Sequence, residues 1–229
     1  MVKQDMSAEC DVYDKGTTVQ YIESFSNNPS RLLVLPTLRK FLSKSQPGQR
    51  ILDLGCGPGA EATITEEFGL SYNGVDLSPE MISICRDKGL SSTVVGDLGD
   101  LPFADNSFDK AISLWAMQYK ANPEDVSKEW ARVLKSGGDV FIVVPHPLYK
   151  FVKYSRDYFT SGAKWEEGLG IRRFNYYHKL SDYFNALVSA GFAIKEVQET
   201  QRIGEKKTYY GISKENFPHD LLMICELQK

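Results

Sequence analysis

Two hydrophobic periods take turns along this chain. Short apolar runs at 51–54, 70–75, 92–95, 108–114 and 139–144 read as buried strands. Between them, apolar residues recur at helical spacing: Met81, Ile82, Ile84 and Cys85 in one segment, Val126, Trp130, Val133 and Leu134 in another. The punctuation agrees with the periods. Ser78 before Pro79 caps a helix that Gly89 stops, and Asn122-Pro123-Glu124 opens another that Gly137-Gly138 should end. Upstream, Asn28-Pro29-Ser30 opens a helix carrying Leu32, Leu33, Leu35, Leu38, Phe41 and Leu42, which Pro36 should kink. Strands and helices that alternate from Arg50 onward predict parallel βαβ units, hence an α/β, doubly wound architecture.

After the fifth strand the period breaks. Residues 147–178 show no clear strand or long amphipathic helix but many aromatics, among them Tyr149, Tyr158, Trp165, Phe174, Tyr176 and Tyr177. A structureless stretch of that length in a compact domain is usually functional, so it is expected to be an aromatic lid inserted after strand 5. Ser181 then caps a helix ended by Gly191, and segments 192–197 and 220–227 supply two last strands. The chain thus reads as a single domain, 1–229, with residues 1–45 a loosely helical arm and 147–178 the lid.

Composition narrows the classes. The 229 residues are 42% hydrophobic and 25% charged, as in globular proteins, and the net charge of −3 offers no basic footprint for nucleic acid or an anionic membrane. No apolar run approaches the roughly 20 residues that span a bilayer, and Met1–Asp5 lacks the apolar core of a signal peptide. Cys10, Cys56, Cys85 and Cys225 are scattered without a CxxC pair, which predicts reduced thiols, no metal and a cytoplasmic location.

Candidate chemistry gathers at Ile51-Leu52-Asp53-Leu54-Gly55-Cys56-Gly57-Pro58-Gly59-Ala60, a strand that turns through three glycines into a helix. Such a turn presents backbone N–H groups and a positive dipole end to a ligand. In an open parallel sheet, ligands bind outside the carboxyl ends of the strands, and three successive strands here each place an acid there: Asp53, Asp76 and Asp97. Asp76, about twenty residues past the turn, is placed for both hydroxyls of a ribose. Asp97 is placed for a purine exocyclic amine, and Asp53 could face an ammonium group. Gly55-x-Gly57-x-x-Ala60 also satisfies the dinucleotide fingerprint, so a nicotinamide-dependent oxidoreductase competes. Asp53 beside a pyrophosphate and the extra anion at Asp97 both oppose it.

The segment 51–60, with Gly74-Val75-Asp76-Leu77-Ser78-Pro79-Glu80-Met81, Gly96-Asp97-Leu98 and Leu101-Pro102-Phe103, resembles the class I (Rossmann-like) S-adenosylmethionine-dependent methyltransferases. The resemblance implies a seven-stranded, mostly parallel sheet whose last strand is antiparallel. It implies S-adenosylmethionine as cofactor, with S-adenosylhomocysteine as product. Gly55, Gly57 and Gly59 would bed the methionine part; Asp76 would hold the ribose; Asp97 and Leu98 the adenine; Leu114 and Trp115 would line the cofactor, with Asp53, Cys56, Leu77 and Met81 as further cofactor contacts. Leu114-Trp115-Ala116-Met117 stands where base-amine methyltransferases carry an Asn/Asp-Pro-Pro-Tyr/Phe box, which points away from a nucleic-acid amine.

Methyl transfer from a sulfonium asks mainly for alignment and a dry pocket, with a general base only when the acceptor arrives protonated. His146, Tyr177 and His178 are the candidates for that role, whereas His219 looks remote. Tyr13, Tyr21, Met117, Tyr149 and Tyr177 are candidate acceptor contacts, the aromatics boxing a flat or cationic group. Residues 147–180 hold seven basic residues against three acids, which suits a carboxylate or phosphate on the acceptor. The expected activity is transfer to a nitrogen or oxygen of a small aromatic, amine or carboxylate-bearing molecule by a monomer or homodimer. Alternatives are a protein or RNA acceptor, or a nucleoside-binding scaffold without turnover.

Overall fold

The computed structural model describes residues 22, 28–149, 157–159, 162–168, 171–201, 208–209, 212–213 and 218–228. Its centre is a seven-stranded sheet in the order β3-β2-β1-β4-β5-β11-β8. The strands are β1 (Arg50–Leu54), β2 (Ser71–Asp76), β3 (Thr93–Val95), β4 (Phe108–Leu114), β5 (Leu134–Pro145), β8 (Phe192–Gln201) and β11 (Pro218–Leu227). The neighbours from β3 to β5 pair in parallel, whereas β11 runs antiparallel to both β5 and β8. The seven-stranded, mostly parallel sheet with its last strand antiparallel is therefore present.

Period-two alternation assigns the two faces. In β5, Val140, Ile142 and Val144 join one core cluster, and Phe141 and Val143 the opposite one. The same split runs through β11, with Leu221, Met223, Cys225 and Leu227 on one side and Leu222 and Ile224 on the other. The first cluster packs under α4 (Pro123–Val133) and α5 (Leu180–Ser189), through Val126, Trp130, Tyr183 and Leu187. The second packs under α1 (Pro29–Leu42) and α2 (Ala62–Glu67), through Val34, Leu38, Phe41 and Ile64. A sheet buried on both faces needs both layers.

Several local expectations change. Helix α1 runs through Pro36 as one helix. Pro36 and Leu32 are exposed, so the carbonyl freed by the missing N–H faces water. Helix α4 ends at Val133, and Gly137-Gly138 lie inside β5 rather than after the helix. Leu134 already pairs with Phe108, and a register shift between Phe108 and Lys110 absorbs the two glycines. The first turn of α5 is capped by Asp182, whose carboxylate accepts the Lys179 N–H at 2.9 Å, and not by Ser181.

The expectation of no strand within 147–178 is the largest correction. Within 147–178, β6 (Gly162–Gly168) and β7 (Ile171–Tyr177) form an antiparallel hairpin. Its cross-strand pair Trp165 and Phe174 has ring centroids 5.3 Å apart. Aromatic pairs of this kind stabilise two-stranded ladders. Their alternation was masked by adjacent Arg172-Arg173 and Tyr176-Tyr177, which blur a period of two. Short strands β9 (Thr208–Tyr209) and β10 (Ile212–Ser213) make a second small hairpin.

Candidate active site

The turn after β1 is shaped by two glycines with different tasks. Gly55 has φ +79°, and a Cβ there would lie 2.4 Å from the Ala116 Cβ, so only glycine lets the turn meet the end of β4. Gly57 has φ +51°, yet a Cβ there would meet no atom within 4 Å. It faces open space, and that space is a cleft of about 860 Å³, counting its open mouth.

The cleft opens where the strand order reverses, beside the ends of β1, β2, β3 and β4, the usual ligand site of such sheets. Its polar floor is Asp76. One Asp76 oxygen accepts the Gly57 N–H at 2.8 Å and the other the Ser78 N–H at 2.9 Å. Ser78 is held in turn as the cap of α3 (Pro79–Asp87), its Oγ accepting the Met81 N–H at 3.3 Å. A carboxylate oxygen has about two lone-pair directions, so each Asp76 oxygen keeps one for a ligand hydroxyl. Burial raises the Asp76 pKa, opposed by the backbone N–H groups of Ser78, Gly57 and Leu77.

Further along, one Asp97 oxygen accepts the Gly99 N–H at 2.7 Å and the other pairs with Lys120 Nζ at 2.8 Å. One lone-pair direction again remains on each. Leu77, Met81, Leu98, Leu114 and Trp115 complete the candidates that line the cleft. Ala116, Tyr119, Lys120 and Phe174 line it as well, and sequence reasoning missed them. Lys120 and Tyr119 follow β4 closely in the chain, a place the strand pattern could have flagged; Phe174 reaches the cleft only through the hairpin.

Asp53, Cys56 and Gly59 do not line the cleft. Asp53 is 2% exposed beneath the turn, where the Tyr72 hydroxyl donates to it at 2.9 Å. Burial first, then the charge of Glu61, pushes its carboxyl pKa well above the usual range. Cys56 is packed with Ile82, Cys85 and Leu90, and a Cβ on Gly59 would run into Leu90 at 2.4 Å. These two serve the packing of the turn against α3.

The catalytic candidates lie outside the cleft too. His146 is buried at the end of β5, with Nε2 2.8 Å from a Glu199 oxygen and Nδ1 accepting the Leu148 N–H at 3.2 Å. Burial lowers its pKa against the opposing pull of Glu199. Tyr177 and His178 line a neighbouring hollow between the hairpin and the start of α4. His178 Nε2 sits 2.8 Å from the Lys120 carbonyl, and burial lowers its pKa. Met117 is wholly buried in the core, and the Tyr149 ring lies tilted against His219 with centroids 4.4 Å apart. Tyr13 and Tyr21 lie outside the described residues.

A glycine-floored cleft with a two-pronged carboxylate, apolar walls and a second carboxylate beyond is the donor set a nucleoside needs. Asp97 is offset by Lys120, so among the described residues Asp76 is the one acid lining the cleft without an ion-pair partner, a balance that suits a singly positive ligand. A methyltransferase-domain family matches residues 52–142. A crystal structure of an S-adenosylmethionine-dependent methyltransferase from Mesorhizobium loti superposes with a TM-score of 0.68 at 25% identity, covering 83% of this chain and 96% of that one. The chain carries a methyltransferase domain with the class I S-adenosylmethionine-dependent fold.

Among curated relatives of this family, phosphoethanolamine N-methyltransferase 1 of Arabidopsis thaliana is 31% identical over 166 residues, 69% of this chain and 32% of that protein. "Probable tRNA methyltransferase 9B" of Homo sapiens is 33% identical over 112 residues, 48% of this chain and 24% of that protein. The chain spans between 24% and 41% of the length of such relatives. The cofactor of the family is S-adenosylmethionine, and the residues of the cleft fit it: the cradle at Gly57 and the two free lone pairs of Asp76 are the deciding features.

Proposed function

We propose that this chain transfers the sulfonium methyl of S-adenosylmethionine to a small molecule, as one methyltransferase domain over 1–229. The observation that carries the reading is Asp76, aimed by two backbone N–H groups into the cleft. The cofactor supplies an electrophilic methyl whose loss leaves a neutral thioether. The residues of this chain bind and align: Asp76 takes the ribose hydroxyls, Asp97 an exocyclic amine, and Met81 and Leu98 flank the base. Trp115, Tyr119 and Phe174 wall the cleft and exclude water, so alignment and desolvation carry the rate enhancement.

The acceptor we favour is a small amine or aromatic bearing a carboxylate or phosphate. Support comes from the basic excess of residues 147–180 and from the phosphoethanolamine-specific name of a relative that aligns over 69% of this chain. The tRNA-related relative supports RNA as a second reading, against which stands the net charge of −3. Calorimetric titration with S-adenosylmethionine and with a nicotinamide dinucleotide, side by side, tests the cofactor. Transfer of labelled methyl into a fractionated small-molecule extract or into RNA, with the product identified by mass, tests the acceptor. Binding of S-adenosylmethionine and label in the small-molecule fraction are expected; label confined to RNA, or binding without any label, would sink the small-molecule reading.

A further inference from the structure

Trp115 follows β4 with its backbone at φ +53°, a left-handed conformation that is costly for a bulky residue and persists only where the surroundings hold it. Asn106, the other non-glycine residue at positive φ among the described residues, is of a type that tolerates it, so Trp115 stands apart. Each polar group of Trp115 is held. Its backbone N–H donates to the Val143 carbonyl at 2.8 Å, its carbonyl accepts the side-chain amide of Gln118, and its indole N–H donates to Asp220 Oδ1 at 2.8 Å. This strained and fully tethered residue lines the cofactor cleft.

Asp220 is 1% exposed and cannot swing away. Its Oδ2 accepts the Thr200 hydroxyl at 3.2 Å and lies 2.7 Å from His219 Nδ1, and its own N–H donates to Thr200 Oγ1 at 3.1 Å. An indole N–H donated to a carboxylate is a charge-assisted bond that pushes electron density onto the ring. The face of such a ring attracts a cation more strongly. A wall needed only to keep water out would require neither the carboxylate nor the strained backbone.

The strand order says which part of the cofactor meets this wall. The strand ends along the cleft follow β3, β2, β1, β4, with neighbours about 4.8 Å apart. With the base at Asp97 after β3 and the ribose at Asp76 after β2, the sulfur, one carbon beyond the ribose ring, reaches past β1. The turn after β1 abuts the end of β4, since a Cβ on Gly55 would come 2.4 Å from the Ala116 Cβ. Trp115 is the neighbour of Ala116 on that side, so the sulfur ends beside it.

We propose that the Trp115 indole, fixed and polarised by Asp220, reads the positive charge of the sulfonium and so sets the preference of the cleft for S-adenosylmethionine over the neutral thioether product. Trp115 is the specificity-determining residue and Asp220 the positioning residue. The inference rests on the methyltransferase reading and deepens it. Base and ribose are identical in the two ligands, so the hydrogen bonds of Asp76 and Asp97 cannot tell them apart. When the acceptor atom bonds to the methyl carbon, the methyl–sulfur bond breaks with its electron pair staying on sulfur. The charge that held the ligand to the indole face is then gone, and the product is held less tightly at that end.

Calorimetric titration with S-adenosylmethionine and, separately, S-adenosylhomocysteine tests this on the unaltered chain, Trp115→Leu, Trp115→Phe and Asp220→Asn, each checked for folding by thermal melting. Trp115→Leu should raise the Kd for S-adenosylmethionine about tenfold and that for S-adenosylhomocysteine no more than about twofold. Trp115→Phe keeps a ring but loses the N–H, and should fall between. Asp220→Asn keeps an acceptor for the indole and removes the charge, so it should weaken S-adenosylmethionine about threefold and leave S-adenosylhomocysteine unmoved. In the Trp115→Leu background the same change should add little, because Asp220 acts through the ring. A carboxylate that only tied β11 to the end of β4 would instead lower the melting temperature and weaken both ligands alike. Equal loss of both ligands in the Trp115 variants, or no change in either, overturns the proposal, and a full effect of Asp220→Asn without the indole overturns the positioning role. Should Trp115→Leu fail to fold, the Trp115→Phe and Asp220→Asn ratios decide. An unaltered chain that binds neither ligand overturns the functional reading and this inference with it.

Discussion

Replacing Asp76 by alanine should separate cofactor recognition from folding. Each Asp76 oxygen is held by one backbone N–H, at 2.8 and 2.9 Å, and each has one lone-pair direction left for a ribose hydroxyl. Hydrogen bonds to a charged partner are worth about 1.5–3 kcal/mol net. Taking the lower figure for each of two bonds, the loss is about 3 kcal/mol, or roughly a hundredfold in Kd. The fold should survive, because the N–H groups of Gly57 and Ser78 that lose their acceptor sit at the cleft, where water replaces it. The alanine also removes a carboxylate whose pKa burial has raised, which is a charge the apo protein holds at some cost. Calorimetric titration with S-adenosylhomocysteine checks the affinity, and thermal melting of the apo protein checks the fold. A variant that keeps the parental Kd, or one that loses affinity only because it no longer folds, would refute this account of the carboxylate.

Gly55→Ala and Gly57→Ala should part company although both positions have positive φ. The first meets Ala116 at 2.4 Å and should lose about 2–4 kcal/mol of stability from strain and overpacking, whereas the second meets nothing and should lose about 1 kcal/mol while weakening cofactor binding; denaturant titration with and without S-adenosylhomocysteine reads both. Asp53→Asn should flatten the dependence of stability on pH. The folded-state pKa of Asp53 is raised, so the native chain holds that proton more tightly than the unfolded chain, and stability is lost as pH rises from the ordinary carboxylate range through the raised value. Asparagine keeps an acceptor for the Tyr72 hydroxyl and carries no charge, so its advantage over aspartate should grow as pH rises above the ordinary carboxylate range, and parallel pH profiles in urea denaturation would contradict this. Trp130→Ala, which empties the space under α4, should destabilise by about 3–5 kcal/mol without altering cofactor specificity, as measured by denaturation and titration.

The features legible in the chain alone are those whose cause lies within a few residues. The alternation within β5 and β11 sorts side chains to two faces whatever the neighbours are. Ser78 caps α3 and Asp76 ends β2 because cap and strand end are set by local hydrogen bonding and backbone geometry. Gly55 and Gly57 announce the turn because no other residue takes its φ cheaply. Where a local signal competed with pairing, pairing won. Gly137-Gly138 looks like a helix stop, yet the ladder with β4 starts before it and turns the pair into a bulge. Residues 162–177 look featureless, yet ladder bonds and a Trp165–Phe174 contact make them a hairpin.

Tertiary structure decided everything that depends on residues far apart in the chain. Local sequence says nothing of β11 entering between β5 and β8, which alone brings Asp220 to Trp115, 105 positions away. The same holds for Lys120 reaching Asp97, for Phe174 reaching the cleft and for the burial that raises the Asp53 pKa. It also holds for the partners that His146, His178 and His219 meet. Strand and helix periods are written by short-range sterics and burial, but the charge state and hydrogen-bond partners of a side chain follow from which distant surfaces close over it, and only the folded chain brings those surfaces together.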